Sequence, residues 1–257
     1  MEMIMKPKVL VYDLEVSPTL AWTYGLYKTN VIKVEQNPSI MSISWSWYGD
    51  VDQDGDPIVH HESLASVPRK GKSNANLALV KLIRSLFDEA DIVVAHNANR
   101  FDNKVAVASF LRYNLAPPSP YKTVDTLQVA RSVARFNSNS LNSLGEILGL
   151  GTKTKVTHSD LWYDCLRGSK KAWAQMREYN NQDVDLLYAI YERLRPYIKN
   201  HTNLGDLSGE RGLCPKCGST RLEKRGVKYG KQTYQCKNCK GWCNESTKKG
   251  NGRIVNS

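Results

Sequence analysis

The chain has 257 residues, 41% apolar and 24% charged, with a formal net charge of +11. That is the balance of a folded soluble protein with one substantial core and a small appendage. No run approaches the length of a membrane span and the first 20 residues lack a signal-peptide core, so a cytoplasmic protein is expected, bacterial or of a phage in its host. The charge is unevenly placed: residues 208–257 hold 12 Lys/Arg against 3 Asp/Glu, and the rest 24 against 22. A polyanion is attracted to such a tail. With no amphipathic stripe or lipidation motif beside it, nucleic acid is the expected partner and a membrane is not.

Pro7–Leu14 (PKVLVYDL) is a short apolar run of β-formers and predicts a strand whose acidic end emerges at a sheet edge. Leu20–Tyr27 and Ser39–Tyr48 follow as strands, the second alternating, with Ile40, Ile43, Trp45 and Trp47 expected to pack. Asp50–Pro57 is a polar turn and Ile58–His61 a further short strand. Pro68–Asn74 (PRKGKSN) is a basic connector, either a lid that touches nucleic acid or a solvated loop. Asn76–Glu89 carries Leu79, Leu82, Ile83, Leu86 and Phe87 at helical spacing. Asp91–His96 (DIVVAH) predicts a buried strand and Asp102–Tyr113 a helix. Pro117, Pro118 and Pro120 mark a loop before VDTLQVAR, and Leu141–Leu148 is a short helix closed by Gly149. No element is assigned over residues 150–170. A long helix is expected from Lys170 to about Tyr197, with Trp173, Met176, Val184, Leu187 and Ile190 as its core stripe. Alternating strands and helices predict an α/β fold. The main domain is expected to span residues 1–205, and a basic four-cysteine tail residues 206–257.

Asp13 and Glu15 are two apart, so on a strand both side chains point the same way, their roots about 6–7 Å apart. Converging carboxylates repel unless a cation lies between them. Magnesium or manganese suits such an all-oxygen site. A lone D-x-E pair is otherwise a common solvated strand end. Asn97–Asp102 follows the DIVVAH strand, where a crevice at the C-terminal edge of a sheet forms. Asp102 begins a helix, where it is either a ligand or an N-cap; Phe101 suits a core position and His96 a hydrogen-bonded strand end. Tyr179 and Asp183 are four apart on a helix and share a face. A phenol there orients water or helps deprotonate it, or is an ordinary half-buried tyrosine.

VYDLEVSP, HNANRFD and YNNQD resemble the three motifs of the DEDD superfamily of exonucleases: D-x-E at Asp13 and Glu15, N-x3-(F/Y)-D at Asn97, Phe101 and Asp102, and Y-x3-D at Tyr179 and Asp183. Glu178 stands where the histidine type would need His, so the chain is similar to the tyrosine type, as in polymerase proofreading domains and free-standing phage or bacterial exonucleases. The resemblance covers roughly residues 8–195 and implies a ribonuclease H-like fold, a mixed sheet flanked by helices. It implies 3′–5′ exonuclease activity on single-stranded or frayed DNA with two Mg2+ or Mn2+ ions, about 4 Å apart. Asp13 would bridge them, Glu15 and Asp183 hold the water-activating one, and Asp102 the other through solvent. Tyr179 would aim the nucleophile, Leu14 or Phe101 pack on the terminal sugar or base, and Asn97 contact the terminal nucleotides. DNA is expected over RNA, in replication or repair, with a polymerase or other replication protein as a further partner. An exoribonuclease and a nucleic-acid-binding accessory factor of a replication or recombination complex are the alternatives.

Cys214, Cys217, Cys236 and Cys239 form two C-x2-C knuckles separated by 18 residues, the pattern of a four-thiolate zinc site. An iron–sulfur centre would use similar ligands. The segment between them predicts a β-hairpin centred on Gly230, and the tail resembles the zinc ribbons of transposases and transcription factors. Lys224, Arg225, Lys228 and Lys231 are expected on phosphates, and Tyr229 and Tyr234 stacked on bases; a structural clip for a protein partner is the other reading. Cys165 and Cys243 are expected to be spare thiols.

Overall fold

The apolar, β-branched run VLVYDLEV forms β1 (Val9–Val16) in a computed structural model that describes residues 7–27, 30–68, 74–152, 158–246 and 253–257. The basic connector at residues 69–73 lies outside the described residues. A hairpin of β2 (Leu20–Thr23) and β3 (Val31–Gln36) follows, then β4 (Ile40–Trp47) and β5 (His60–Ser63). Next come α1 (Ala75–Glu89), β6 (Ile92–Ala95), α2 (Asp102–Arg112), β7 (Lys122–Asp125) and α3 (Thr126–Val133). Four further helices complete the core: α4 (Leu141–Leu148), α5 (His158–Leu166), the 25-residue α6 (Lys170–Leu194) and α7 (Leu204–Ser208).

The main sheet has the order β5-β4-β1-β6-β7. β1 runs antiparallel to β4 and parallel to β6, and β6 is parallel to β7. This is the mixed sheet of a ribonuclease H-like fold. β1 is central, so both of its faces are covered. Leu10, Tyr12 and Leu14 join Ile83, Phe87 and Phe110 of α1 and α2 in one core. Val9 and Val11 join Leu144, Leu187 and Tyr191 of α4 and α6 in the other. Period-two alternation along one strand therefore sorts its residues between two helical layers.

Two expectations are corrected. The strand read over Leu20–Tyr27 stops at Thr23, where the Thr23 hydroxyl bonds the Gly25 carbonyl at 2.8 Å and bends the chain. It pairs with β3, which the sequence reading missed, in a separate two-stranded sheet. Its apolar residues are exposed, including Trp22, Tyr24 and Leu26, so hydrophobicity there is no sign of core. Secondly, α5 fills much of the unassigned stretch and buries Leu161 and Cys165.

The C-terminal part forms a second sheet, β11-β10-β9-β8, from β8 (Leu222–Lys228), β9 (Lys231–Cys236), β10 (Trp242–Glu245) and β11 (Ile254–Asn256). Tyr229 and Gly230, both at positive φ (49° and 72°), make the two-residue turn expected at Gly230. This sheet and its knuckles do not hang free. The Leu204 N–H donates to the Pro215 carbonyl at 2.9 Å, and Asn256 Nδ2 to the His201 carbonyl at 2.7 Å. Lys216 Nζ donates to the Pro196 carbonyl. Among the described residues, no helix is long and apolar enough to cross a membrane.

Gly145 lets α4 lie directly on α6. A Cβ there would meet the Gly151 carbonyl oxygen at 2.5 Å and Leu186 Cδ1 at 2.8 Å. Because the nearer atom is backbone, Gly145→Ala is expected to lower unfolding free energy by about 1–3 kcal/mol, measured by denaturant titration.

Candidate metal centre and cysteine cluster

Asp13 and Glu15 lie on the β1 face that α6 covers, near the strand's C-terminal end. α6 presents Tyr179 and Asp183 one turn apart toward the same place. One oxygen from each of Asp13, Glu15 and Asp183 falls within 4.8 Å of the others. Glu15 and Asp183 are buried and Asp13 half-buried. Two like unit charges 4 Å apart repel by about 4 kcal/mol at an effective dielectric constant near 20. Three carboxylates at this spacing, largely out of water, are a donor set for a hard divalent cation.

Asp102 is outside that trio. It lies at the first position of α2, with Phe101 as the capping residue, so it does not serve as the N-cap. It is buried, and its carboxylate accepts a hydrogen bond from the Leu14 N–H, the peptide between Asp13 and Glu15. Burial, reinforced by the Asp125 carboxylate, pushes its pKa up to about 7, against the two backbone hydrogen bonds. Tyr179 is also buried, and its hydroxyl bonds Asp183. Desolvation first, then the charges of Asp183, Glu15 and Asp13, hold that phenol far above the usual tyrosine range. Trp162 of α5 meets its ring edge-on at 5.9 Å.

The remaining expected contacts divide. Leu14 is in the α1–α2 core, on the face opposite Asp13, so its side chain is closed to a sugar or base. Phe101 is 46% exposed, not a core residue. Asn97 takes a left-handed conformation (φ 66°) and uses its backbone to turn the loop, its carbonyl accepting from Arg100 and Phe101. His96 bonds Thr126 and the Asn139 carbonyl, both at 3.0 Å, as a strand-end residue would.

Two residues escaped the sequence reading. Asp125, at the end of β7, is 4% exposed. It accepts the N–H groups of Asn97 and Asn99 at 3.1 Å while capping α3, and so fixes the loop that delivers Asp102. The D-T-L-Q pattern is a capping signal and could have revealed it. Asn180 is fully buried. Its Nδ2 donates to Asp13 Oδ2 at 2.8 Å, and its Oδ1 accepts from Ser42 at 3.1 Å. Its neighbour in YNNQD, Asn181, accepts from Ser44 instead.

In the second cluster, Cys214 Sγ is 3.7 Å from Cys239 Sγ, and Cys217 Sγ 3.6 Å from Cys236 Sγ. All four sulfurs lie within 4.8 Å of one another. Tetrahedral zinc–sulfur bonds of about 2.3 Å set sulfurs about 3.8 Å apart, so the cluster has the dimensions of a tetrathiolate metal site. Cys243 is buried nearby but outside the quartet, and Cys165 is on the buried face of α5. Lys224, Lys228, Lys231 and Tyr229 are exposed and Tyr234 half-buried. Arg225 is tied to Glu223 at 3.0 Å and Gln235 at 2.8 Å.

Burial of the Asp102 carboxyl makes stability depend on pH. Its folded value, about 7, lies above the ordinary 3.8, so stability is lost as pH rises between those values. In metal-free protein at pH 8, Asp102→Asn is expected to be more stable than wild type by roughly 2–4 kcal/mol. Below pH 4 that advantage should vanish in denaturant titrations.

A search of curated proteins finds no match. A family model, RNase_H_2, described as RNase_H superfamily, matches residues 55–195. That span holds Asp102, Tyr179 and Asp183, and the sheet order supplies the rest of the fold through β1. With an acidic trio at the C-terminal edge of its central strand, in an arrangement consistent with a nuclease active site, the chain belongs to the RNase_H superfamily.

Proposed function

We propose that the chain is a metal-dependent 3′–5′ exonuclease of the DEDD tyrosine type, removing nucleoside 5′-monophosphates from single-stranded or frayed DNA. The observation that carries this is Tyr179, hydrogen-bonded to Asp183 and facing Asp13 and Glu15 within one buried acidic group. Asp13 would bridge two Mg2+ or Mn2+ ions, Glu15 and Asp183 would hold one, and Asp102 the other. Bound there, the ions supply an activated water and neutralise the leaving 3′-oxygen. Tyr179 would orient the attacking water by hydrogen bonding; in the metal-free site burial and then the charges of Asp183, Glu15 and Asp13 favour its neutral phenol. Asn180 holds the Asp13 carboxylate in one rotamer. Phe101, exposed beside Asp102, would pack on the terminal nucleotide, and Asn97 would contact it.

In this reading residues 1–205 are the exonuclease domain and 206–257 a zinc ribbon. Lys224, Lys228 and Lys231 would meet phosphates, with Tyr229 and Tyr234 stacking on bases; Arg225 would first have to leave Glu223. A replication polymerase is the protein partner that fits such an activity.

The test presents 5′-labelled single-stranded DNA, duplex DNA and RNA with magnesium, manganese or chelator. A metal-dependent ladder descending from the 3′ end of DNA is expected. A faster ladder on RNA would make the chain an exoribonuclease, and internal cuts would end the exonuclease reading.

Substitutions divide the roles by rate. Asp13→Asn is expected to lower turnover by about 1,000-fold or more, consistent with removing a metal bridge. Tyr179→Phe should retain a measurable fraction, roughly 1–10%. Asn180→Ala should cost about 10–100-fold, the usual scale for a residue that orients a ligand. Single-turnover rates at saturating magnesium read all three.

A further inference from the structure

The 3-10 turn that follows α6 (Arg195–Tyr197) and the strand β10 face each other across a cleft of about 670 Å3. One wall comes from the core and carries Arg193, in the last turn of α6, and Tyr197, which is 65% exposed. The other comes from the cysteine-rich sheet and carries Lys240, exposed just after the second knuckle, and Trp242, 41% exposed on β10. The Lys228 ammonium lies over the Trp242 ring, 5.9 Å from its centre, and adds a third cation. The carboxylate on these walls, Glu192, accepts the Tyr48 hydroxyl at 2.8 Å and lies 4.0 Å from the buried Arg195, so its own side of the cleft engages it. The Lys240 ammonium donates to the Lys237 carbonyl at 2.8 Å, which fixes its place without matching its charge.

Aromatic faces left in water favour a flat apolar partner, and cations beside them select one that is also anionic. Bases carried on phosphates combine both properties. In a duplex the ring faces are stacked on one another and the grooves present only base edges, so protein rings take up unpaired bases. We infer that this cleft holds a single strand of nucleic acid, with bases on Tyr197 and Trp242 and phosphates at Arg193, Lys240 and Lys228. The inference rests on the nucleic-acid reading of the chain and not on its cutting chemistry. It moves the main contact from the tip of the β8–β9 hairpin, where Tyr229 offers one ring, to the joint between ribbon and core. Tyr197 follows Asp183 by 14 residues, about 20 Å at the rise of a helix. A strand held in the cleft is therefore gripped well away from the acidic trio.

The test measures fluorescence anisotropy of a labelled oligothymidylate and of a blunt duplex with the full-length protein, every variant carrying Asp13→Asn so that the probe stays intact. Tyr197→Ala and Trp242→Leu are each expected to weaken single-strand binding about 5–50-fold, while Tyr229→Ala changes it less. Arg193→Gln should reduce the slope of log affinity against log salt by about 0.7. Bromodeoxyuridine in the oligonucleotide should photocrosslink to Tyr197 or Trp242, read by mass spectrometry of the peptides. Should Trp242→Leu not fold, Tyr197→Ala on the core wall and the crosslink decide the matter. Single-strand affinity unchanged in both ring variants, a loss confined to Tyr229→Ala, or duplex bound as tightly as the single strand would overturn the cleft assignment. A parent protein that binds neither probe would overturn it as well. The exonuclease reading fails separately, by the absence of a descending ladder from a protein that still binds the strand.

Discussion

Everything in this molecule is arranged around β1, one strand with no exposed face. Its alternate residues serve two helical layers, and at Asp13 and Glu15 one register position changes from hydrocarbon to carboxylate without leaving its face. α6 covers that face with aliphatic residues and Tyr191 along most of its length, and with Tyr179, Asn180 and Asp183 where the acids lie. The packing that stabilises the core is thus the same packing that brings the acids together. Asp102 comes from the other layer and reaches the peptide between Asp13 and Glu15 by bonding the Leu14 N–H.

Much of this was legible beforehand, for identifiable reasons. β1, β4, α1, β6, α2, α4 and α6 carry strong period-two or period-3.6 patterns, and their boundaries fall within a few residues of those read from the chain. The acidic trio was legible because two of its members sit on one strand and the third on the helix that carries Tyr179. Hidden features depend on tertiary context. β2 and β3 are apolar without being buried, so hydrophobicity misled about their role. α5 follows a polar stretch, and of its apolar residues Leu161, Trp162 and Cys165 pack inward while Tyr163 and Leu166 are exposed, so its pattern is weak. Asn180 and Asp125 are polar residues whose worth lies in partners far away in sequence, Asp13 and Ser42 for one, Asn97 and Asn99 for the other. Composition says nothing about such bonds.

The C-terminal charge also reads differently once placed. Lys224, Lys228 and Lys231 remain on the surface, whereas Lys216 faces inward against Pro196 and Arg225 is spoken for by Glu223. A count of basic residues over the tail therefore overstates what is open to a polyanion. The seam between the sheets, lined by Tyr48, Leu204, Leu213 and Cys217 among others, makes the tail a neighbour of the core with shared contacts.

The acidic trio joins residues 13 and 183, with nearly the whole core threaded between them. Contacts of such sequence separation form late, after the loop-closure entropy of the intervening chain has been overcome. During synthesis β1 emerges long before α6, so its two carboxylates wait for that helix before the trio is complete. A half-made chain therefore has the strand but no charge trap, and the capacity to gather a cation arrives only with completion of the fold.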